Sequence, residues 1–469
     1  MTSKLGTYDT QSGKKISVDG VSDLLQKLGC THIYVKKLAP NDNSKNQPYF
    51  GSHLTDLPFI PTGELVTSAS VSKKNSNTKR KIKYQTTLDL SWVDADGVVY
   101  DAPHSKLIYY PQYPEVRFSG FLRGSKVNAS EWMSPDKQGR SEGRWLILGI
   151  TKNESIYAYL ATPESRLSRE LAETNFIEVS NVFCQLDVEC IAPKVSTREA
   201  LISKLLEIHH MGWVSSRRLN SEMSVIPYKA LNGGGYTLEC MLGISPNGIA
   251  EPDYLGWEVK QFGVSKFPTI ASKPTTLMTP EPNGGFYCES GAIEFVRNYG
   301  YPDKRGNVDR LNFGGKHNVG ECQKLTGLTM ELIGFDSETS SITDAEGTIA
   351  LIDSTGNVTA SWSFAKLMDH WKHKHSQAVY IPCMKRTQSG INEYYYGKDI
   401  EMGTGTNFEM ILSAMHLGSV YYDPGIKLEH ASTDKPKIKR RNQFRVNHKH
   451  LNTLYTKFEF VDVKIEINS

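Results

Sequence analysis

The sequence predicts a two-domain α+β chain: mostly β over residues 1–180, a linker at 181–196, and a mixed helix-and-sheet domain over 197–469. Three observations predict it. The first part is a series of short strands with turn punctuation, which points to a β barrel or sandwich and away from a parallel α/β sheet. The break at Ala192-Pro193-Lys194 is followed by a capped helix opening at Ser196 or Thr197. Beyond it an acidic turn runs into a strand, Pro252-Asp253-Tyr254-Leu255-Gly256-Trp257-Glu258-Val259-Lys260, and the second domain is organised around that stretch.

In chain order, residues 17–28 read as a short helix and 31–36 as a strand. Residues 86–93, a turn at Asp94-Ala95-Asp96-Gly97 and residues 98–100 form one hairpin signal; 145–150 and 156–160 around Lys152-Asn153-Glu154 form another. A short helix is expected at 168–173. The helix that opens the second domain places Leu201, Leu205, Ile208 and Met211 on a core face, with His209 and His210 capping or packing at its end. Gly233-Gly234-Gly235 reads as a loop entering a helix, with Glu239 early in that helix. Residues 262–324 have turn signals but little periodicity and read as irregular structure able to wrap DNA. A hairpin follows at 349–353 and 358–362, then a helix over 364–375. Its end carries His370, His373 and His375 among lysines, open to three readings: a zinc site, a basic helix end approaching DNA, or plain exposure.

Composition narrows the class. The chain has 469 residues, no apolar run as long as a membrane span and no apolar leader at its N-terminus, which fits a bacterial cytoplasm. Seven cysteines without C-x-x-C spacing frame neither a disulfide scaffold nor a zinc site. A net charge of +3 means that affinity for a polyanion has to come from local patches. The most concentrated lies at 435–450, where Arg440, Arg441 and Arg445 interleave with Asn, Gln, His and Phe444; the run at 73–81 reads as a solvated loop.

The chemistry sits in the acidic stretch. Strand alternation sends Trp257 and Val259 into a core and brings Glu258 and Lys260 out together on the other face, with Asp253 leaning over the same spot. Two converging carboxylates suit a hard divalent cation such as Mg2+, and a neighbouring lysine can hold a water for attack on phosphorus. The plain alternative is a solvated same-face ion pair. Glu239, 14 positions before Asp253, is either a third carboxylate of the site or a glutamate favoured by a helix dipole.

Gly234-Gly235-Tyr236-Thr237-Leu238-Glu239, and then Asn247-Gly248-Ile249-Ala250-Glu251-Pro252-Asp253 with Glu258-Val259-Lys260, resemble the catalytic core of the MvaI/BcnI restriction endonucleases, a branch of the PD-(D/E)XK nucleases. The Asp-x4-Glu-x-Lys spacing is similar to the MvaI branch, and the resemblance runs over roughly 197 to 465. It implies a mixed-sheet nuclease fold in which Asp253 and Glu258 bind Mg2+, Lys260 orients the attacking water and Glu239 supports the metal. In the first domain, residues 34–42 and Glu115-Val116-Arg117-Phe118-Ser119-Gly120-Phe121-Leu122-Arg123 are similar to the DNA-binding pseudobarrel of EcoRII-type effector domains. That implies base contacts from Lys36, Glu115 and Arg117 and a phosphate contact from Arg123; exposed barrel charges are the plain alternative.

Together these resemblances imply a monomeric, Mg2+-dependent type II restriction endonuclease. Its substrate is double-stranded DNA carrying CCWGG or a relative, with two copies engaged, one per domain, and a cognate methyltransferase is expected in the host. A modification-dependent or repair nuclease, or a non-catalytic DNA-binding regulator, are the rival readings.

Overall fold

The computed structural model describes residues 6–40, 47–68, 82–134, 136–139, 141–174, 176–186, 196–230, 232–245, 253–268 and 273–466. The run at 73–81, the break at 192–194 and residues 247–252 of the catalytic stretch lie outside these residues. The chain divides into two compact units, Met1–Lys194 and Val195–Ser469.

In the first unit, helix α1 (Val18–Lys27) starts where the Ser17 hydroxyl accepts the Gly20 N–H at 3.1 Å. The strands used below are β1 (Cys30–Leu38), β2 (Leu90–Val93), β3 (Glu115–Ser119), β4 (Arg144–Thr151), β5 (Ile156–Ala161) and β6 (Cys184–Leu186). A seven-stranded sheet runs Ile177–Glu178, β6, β1, β4, β5, β2, Val99–Asp101. The expected hairpins form, β4 against β5 and β2 against Val99–Asp101. Thr86 and Thr87 depart from expectation: they belong to Tyr84–Thr87, which pairs with Lys106–Tyr110 in a separate five-stranded sheet that includes β3. The chain changes sheet at buried Leu88, a switch that an uninterrupted apolar alternation conceals. Aromatic rings join the two sheets. Trp92 Nε1 donates to the Phe121 carbonyl at 2.7 Å, and Phe121 stacks on Phe118 of β3 with centroids 4.4 Å apart.

β1 lies between β6 and β4, and its middle run Ile33-Tyr34-Val35-Lys36 is buried. Lys36 is only 8% exposed, with its ammonium 5.7 Å from the centre of the Phe183 ring and no carboxylate partner among the described residues. Burial lowers its pKa to about 8. Lys36 thus lies within the fold of the first unit, whereas Thr31, His32 and Lys37 of the same strand are the ones exposed.

The second unit contains α2 (Thr197–His210), α3 (Gly233–Met241), β7 (Glu258–Gly263), β8 (Thr275–Met278), α4 (Gly291–Tyr299), α5 (Phe364–Lys374), β9 (Gln377–Gln388), β10 (Ile391–Tyr396), β11 (Asp399–Thr404), β12 (Val420–Tyr422), β13 (Phe444–Val446) and β14 (Lys457–Asp462). β9 is the spine of a six-stranded mixed sheet. It pairs in parallel with β7, Glu258 opposite Ala378, and antiparallel with β10 and β11; β14 follows β11. Its fully buried run Ala378-Val379-Tyr380-Ile381 suits a strand covered on both faces. Leu201, Ile202, Leu205 and Ile208 of α2 pack on Val259, Val379 and Ile381. Ser196 and Glu199 form a reciprocal capping box at the start of α2. Met211 departs from the expected core face: it is the C-cap, past the last turn, and 58% exposed. The stretch expected to be irregular contains β8, Phe286–Glu289 and α4; elements this short carry too few turns to show a period. The Thr348–Ile352 and Val358–Ser363 hairpin forms as expected. No helix among the described residues is long and apolar enough to cross a membrane.

The buried Lys36 ammonium costs the fold stability at every pH below about 8, and the cost fades as pH rises toward the ordinary lysine range. Lys36→Met should therefore stabilise the protein at pH 7 by about 1–3 kcal/mol. The gain should shrink by pH 10 in thermal melts; a destabilised variant at pH 7 would show that the charge has a favourable partner.

Candidate active site

The four residues between Asp253 and Glu258 are a chain reversal. Tyr254 and Trp257 exchange backbone hydrogen bonds of 3.0 and 2.8 Å, with Leu255 at φ 49° and Gly256 at φ 83°, the positive pair of a tight hairpin turn. The turn folds Asp253 back along β7, where its Oδ2 accepts the Val259 N–H at 2.9 Å. Alternation then acts as expected on the core side: Trp257 and Val259 are buried against α2 and β9. Lys260 Nζ stands 2.7 Å from Glu258 Oε1 on the other face. Glu258 does not emerge into solvent, however. It is 3% exposed, and its Oε2 has no hydrogen-bond partner among the described residues.

Glu239 is not in an N-terminal turn. α3 begins at Gly233, which puts Glu239 in the last turn. The glycines read as a loop are the first turn of the helix, and they permit close approach. A Cβ on Gly233 would lie 2.5 Å from Ser216 Oγ and 2.7 Å from Tyr394 Oη, and the Tyr396 hydroxyl donates to the Gly234 carbonyl at 2.7 Å. With the helix seated this close to the sheet, its far end brings Glu239 into the field of the acid pair.

The electrostatics show how near these groups are. Burial first, and then the Asp253 and Glu258 carboxylates, raise the Glu239 pKa to about 7. Burial and Glu258 raise that of Asp253 to about 6, against the Val259 N–H and Lys260, which lower it. Burial pushes Glu258 upward too, but the adjacent Lys260 ammonium, with further positive charge around it, holds its pKa below the usual carboxylate value. Lys374, at the end of α5, also favours the ionised form of all three acids. Sequence reading grouped Lys374 with the histidines of that helix. The signal available was its place three residues before β9, the strand that pairs with β7.

Three mutually repelling carboxylates and a buried, unpartnered carboxylate oxygen form an oxygen-rich donor set that fits a hard divalent cation. Among the described residues, no three His, Cys, Asp or Glu side chains are already arranged around one point. Glu239, Asp253 and Glu258 would hold a cation by converging further.

The histidine cluster is split. His375 is fully buried and stacks on Trp371 with centroids 4.1 Å apart; its Nε2–H donates to the Leu277 carbonyl at 2.9 Å, and burial drops its pKa to about 3. It is therefore neither part of an exposed basic helix end nor free as a metal ligand through Nε2. The side chain of His373 lies outside the described residues.

The remaining candidates fall elsewhere. Arg117 and Glu115 form a 2.6 Å ion pair on β3, with the guanidinium over the Tyr49 ring, and Arg123 is exposed in the turn that follows. Arg440 and Arg441 are exposed between Lys437–Lys439 and β13. Arg445 is half-buried, 2.7 Å from Asp423 Oδ2 and 3.0 Å from the Pro274 carbonyl. The structure thus sets Glu258 against Lys260, with Asp253 and Glu239 close enough to feel their charge, while the arginines of the basic run lie on other elements of the same unit.

Comparison with known proteins adds to this geometry. The model of the MvaI/BcnI restriction endonuclease family matches residues 202–455. A solved complex of restriction endonuclease MvaI with cognate DNA substrate is 18% identical, with a TM-score of 0.42, over 57% of this chain and 99% of that one. Restriction endonuclease MvaI in the absence of DNA is 15% identical, with a TM-score of 0.32, over 58% and 100%. No curated protein matches the chain.

Because Asp253 and Glu239 have raised pKa values, the cation-free protein loses stability as pH climbs from the ordinary carboxylate range through about 6 to 7. Asp253→Asn removes one of the repelling charges. In EDTA at pH 8 it should be more stable than the wild type by about 1–3 kcal/mol, with the difference shrinking as pH falls through about 6 and fading by about pH 4. A pH-independent difference would show that neither burial nor the neighbouring Glu258 raises the Asp253 pKa in the fold.

Proposed function

The chain belongs to the MvaI/BcnI restriction endonuclease family and is thus a DNA-binding nuclease, and from that premise we propose a type II, IIE-like enzyme that hydrolyses phosphodiester bonds of double-stranded DNA at CCWGG or a close relative such as CCSGG. The observation that carries the proposal is the gathering of Glu239, Asp253 and Glu258 beside Lys260, with one buried carboxylate oxygen unpartnered. Asp253 and Glu258 would hold Mg2+, with Glu239 in support. When bound, the cation polarises the phosphodiester and makes water a stronger nucleophile. Lys260 pairs with Glu258 in the free protein and would donate to a water and hold it for attack if that carboxylate held the cation instead. The Val259 amide keeps Asp253 aimed at the same place. One such site per chain implies that each strand is cut in a separate event, by rebinding or by a second subunit, and the resemblance to MvaI-like enzymes favours a monomer making successive nicks.

The proposal extends to the first unit as an effector module of the EcoRII pseudobarrel type, with Glu115, Arg117 and Arg123 at its DNA contacts and Arg440, Arg441 and Arg445 contacting DNA in the second. A second specific module raises the effective concentration of one DNA site at another. A bacterial cytoplasm and a host methyltransferase complete the reading.

Incubation with unmethylated plasmid should yield discrete ends at one short motif with Mg2+ and none with EDTA. Lys260→Ala should cut at least about 100-fold more slowly while still binding DNA. Full cutting by that variant removes the mechanism, and cutting confined to methylated plasmid favours a modification-dependent nuclease. Deleting residues 1–180, or adding cognate oligonucleotide in trans, should change the cleavage rate severalfold. An unchanged rate in both experiments rules out an effector role.

A further inference from the structure

The basic run of the second unit contains an acid that does not belong to it. Arg440 Nη1 lies 3.7 Å from Glu281 Oε2, and both side chains are about half exposed. Glu281 is held in place rather than drawn in by the arginine. The Tyr287 hydroxyl donates to the same Oε2 at 2.6 Å, and Trp362 Nε1 donates to the Pro280 carbonyl at 3.0 Å, anchoring the segment one residue earlier. Tyr287 is buried, packed edge-on against Phe295 of α4. On the arginine's side, buried Asn442, two residues beyond Arg440, accepts the Tyr422 hydroxyl at 2.5 Å, and Tyr422 packs against Trp362. Carboxylate and guanidinium therefore stand on one aromatic cluster. Oε1 of Glu281 has no bonded partner among the described residues.

A fixed carboxylate on the most positive stretch of a DNA-binding chain opposes phosphate binding. For backbone contact alone Arg440 would do better without it. The major-groove edge of a C·G pair requires both groups: guanine O6 and N7 accept from a guanidinium, and the cytosine amino group donates to a carboxylate. The neighbouring Arg445–Asp423 pair is less open, because Arg445 is also bonded to the Pro274 carbonyl and both side chains are only about a quarter exposed.

We propose that Glu281 and Arg440 together read one C·G base pair, with Glu281 a specificity-determining residue and Tyr287 the positioning residue that fixes it. This rests on the DNA-cleavage reading above. The test uses the full-length protein on a library of duplexes in which every base pair of its preferred site is varied. Cleavage is scored with Mg2+ and equilibrium binding in EDTA. Glu281→Gln should lose about 10-fold or more of its discrimination at a single C·G position and keep it elsewhere. Tyr287→Phe should relax the same position to a smaller extent. If Glu281→Gln binds and cuts every sequence faster or tighter by one common factor, Glu281 only tempers the charge of Arg440 and the proposal is overturned. A wild type that binds selectively without cutting defeats the nuclease reading alone, and the comparison is then made on binding. A wild type selective in neither assay defeats both. Melting temperatures matching the wild type confirm that each variant is folded.

Discussion

Repulsion among Glu239, Asp253 and Glu258 is the constraint that the second unit is built to sustain. Like charges in a partly buried place separate unless the backbone holds them, and here three pieces of backbone do so. The Tyr254–Trp257 reversal returns Asp253 to β7. The pairing of β7 with β9 fixes Glu258 and Lys260 on one face. Glycines at the start of α3 let that helix approach closely enough to deliver Glu239 from its last turn. Lys260 and Lys374 supply the compensating charge, and the packing of α2 on Val259, Val379 and Ile381 keeps the sheet from yielding.

Much of this was legible in the residues. The Asp253, Glu258 and Lys260 arrangement follows from a turn plus strand alternation, both local rules with short reach. The capping box at Ser196 and the hairpins at 145–160 and 348–363 are equally local. What escaped notice depends on partners distant in sequence. Gly233 looks like part of a loop until Ser216 and Tyr394 are seen to leave no room for a Cβ. Lys36 looks like an exposed strand cation until Phe183 and the surrounding unit bury it. His375 looks like part of a charged helix end until Leu277 and Trp371 enclose it. In each case the residue type is ambiguous and the long-range contact decides.

The arginines illustrate the same point at the surface. Composition marks 435–450 as a positive patch and counts every cation alike. The fold sorts them: Arg445 is tied to Asp423 and a carbonyl, Arg440 faces Glu281, and Arg441 stands exposed.

The register of β7 on β9 has a consequence for when the acids come together. Glu258 is paired with Ala378, about 120 residues further along the chain. A chain emerging from the ribosome carries every acid of the site long before it carries the strand that aligns them. Pairings across such a separation form late, because a long loop has to close before any contact offsets the lost freedom. Truncated or stalled chains ending before β9 therefore contain the acids without the strand that aligns them.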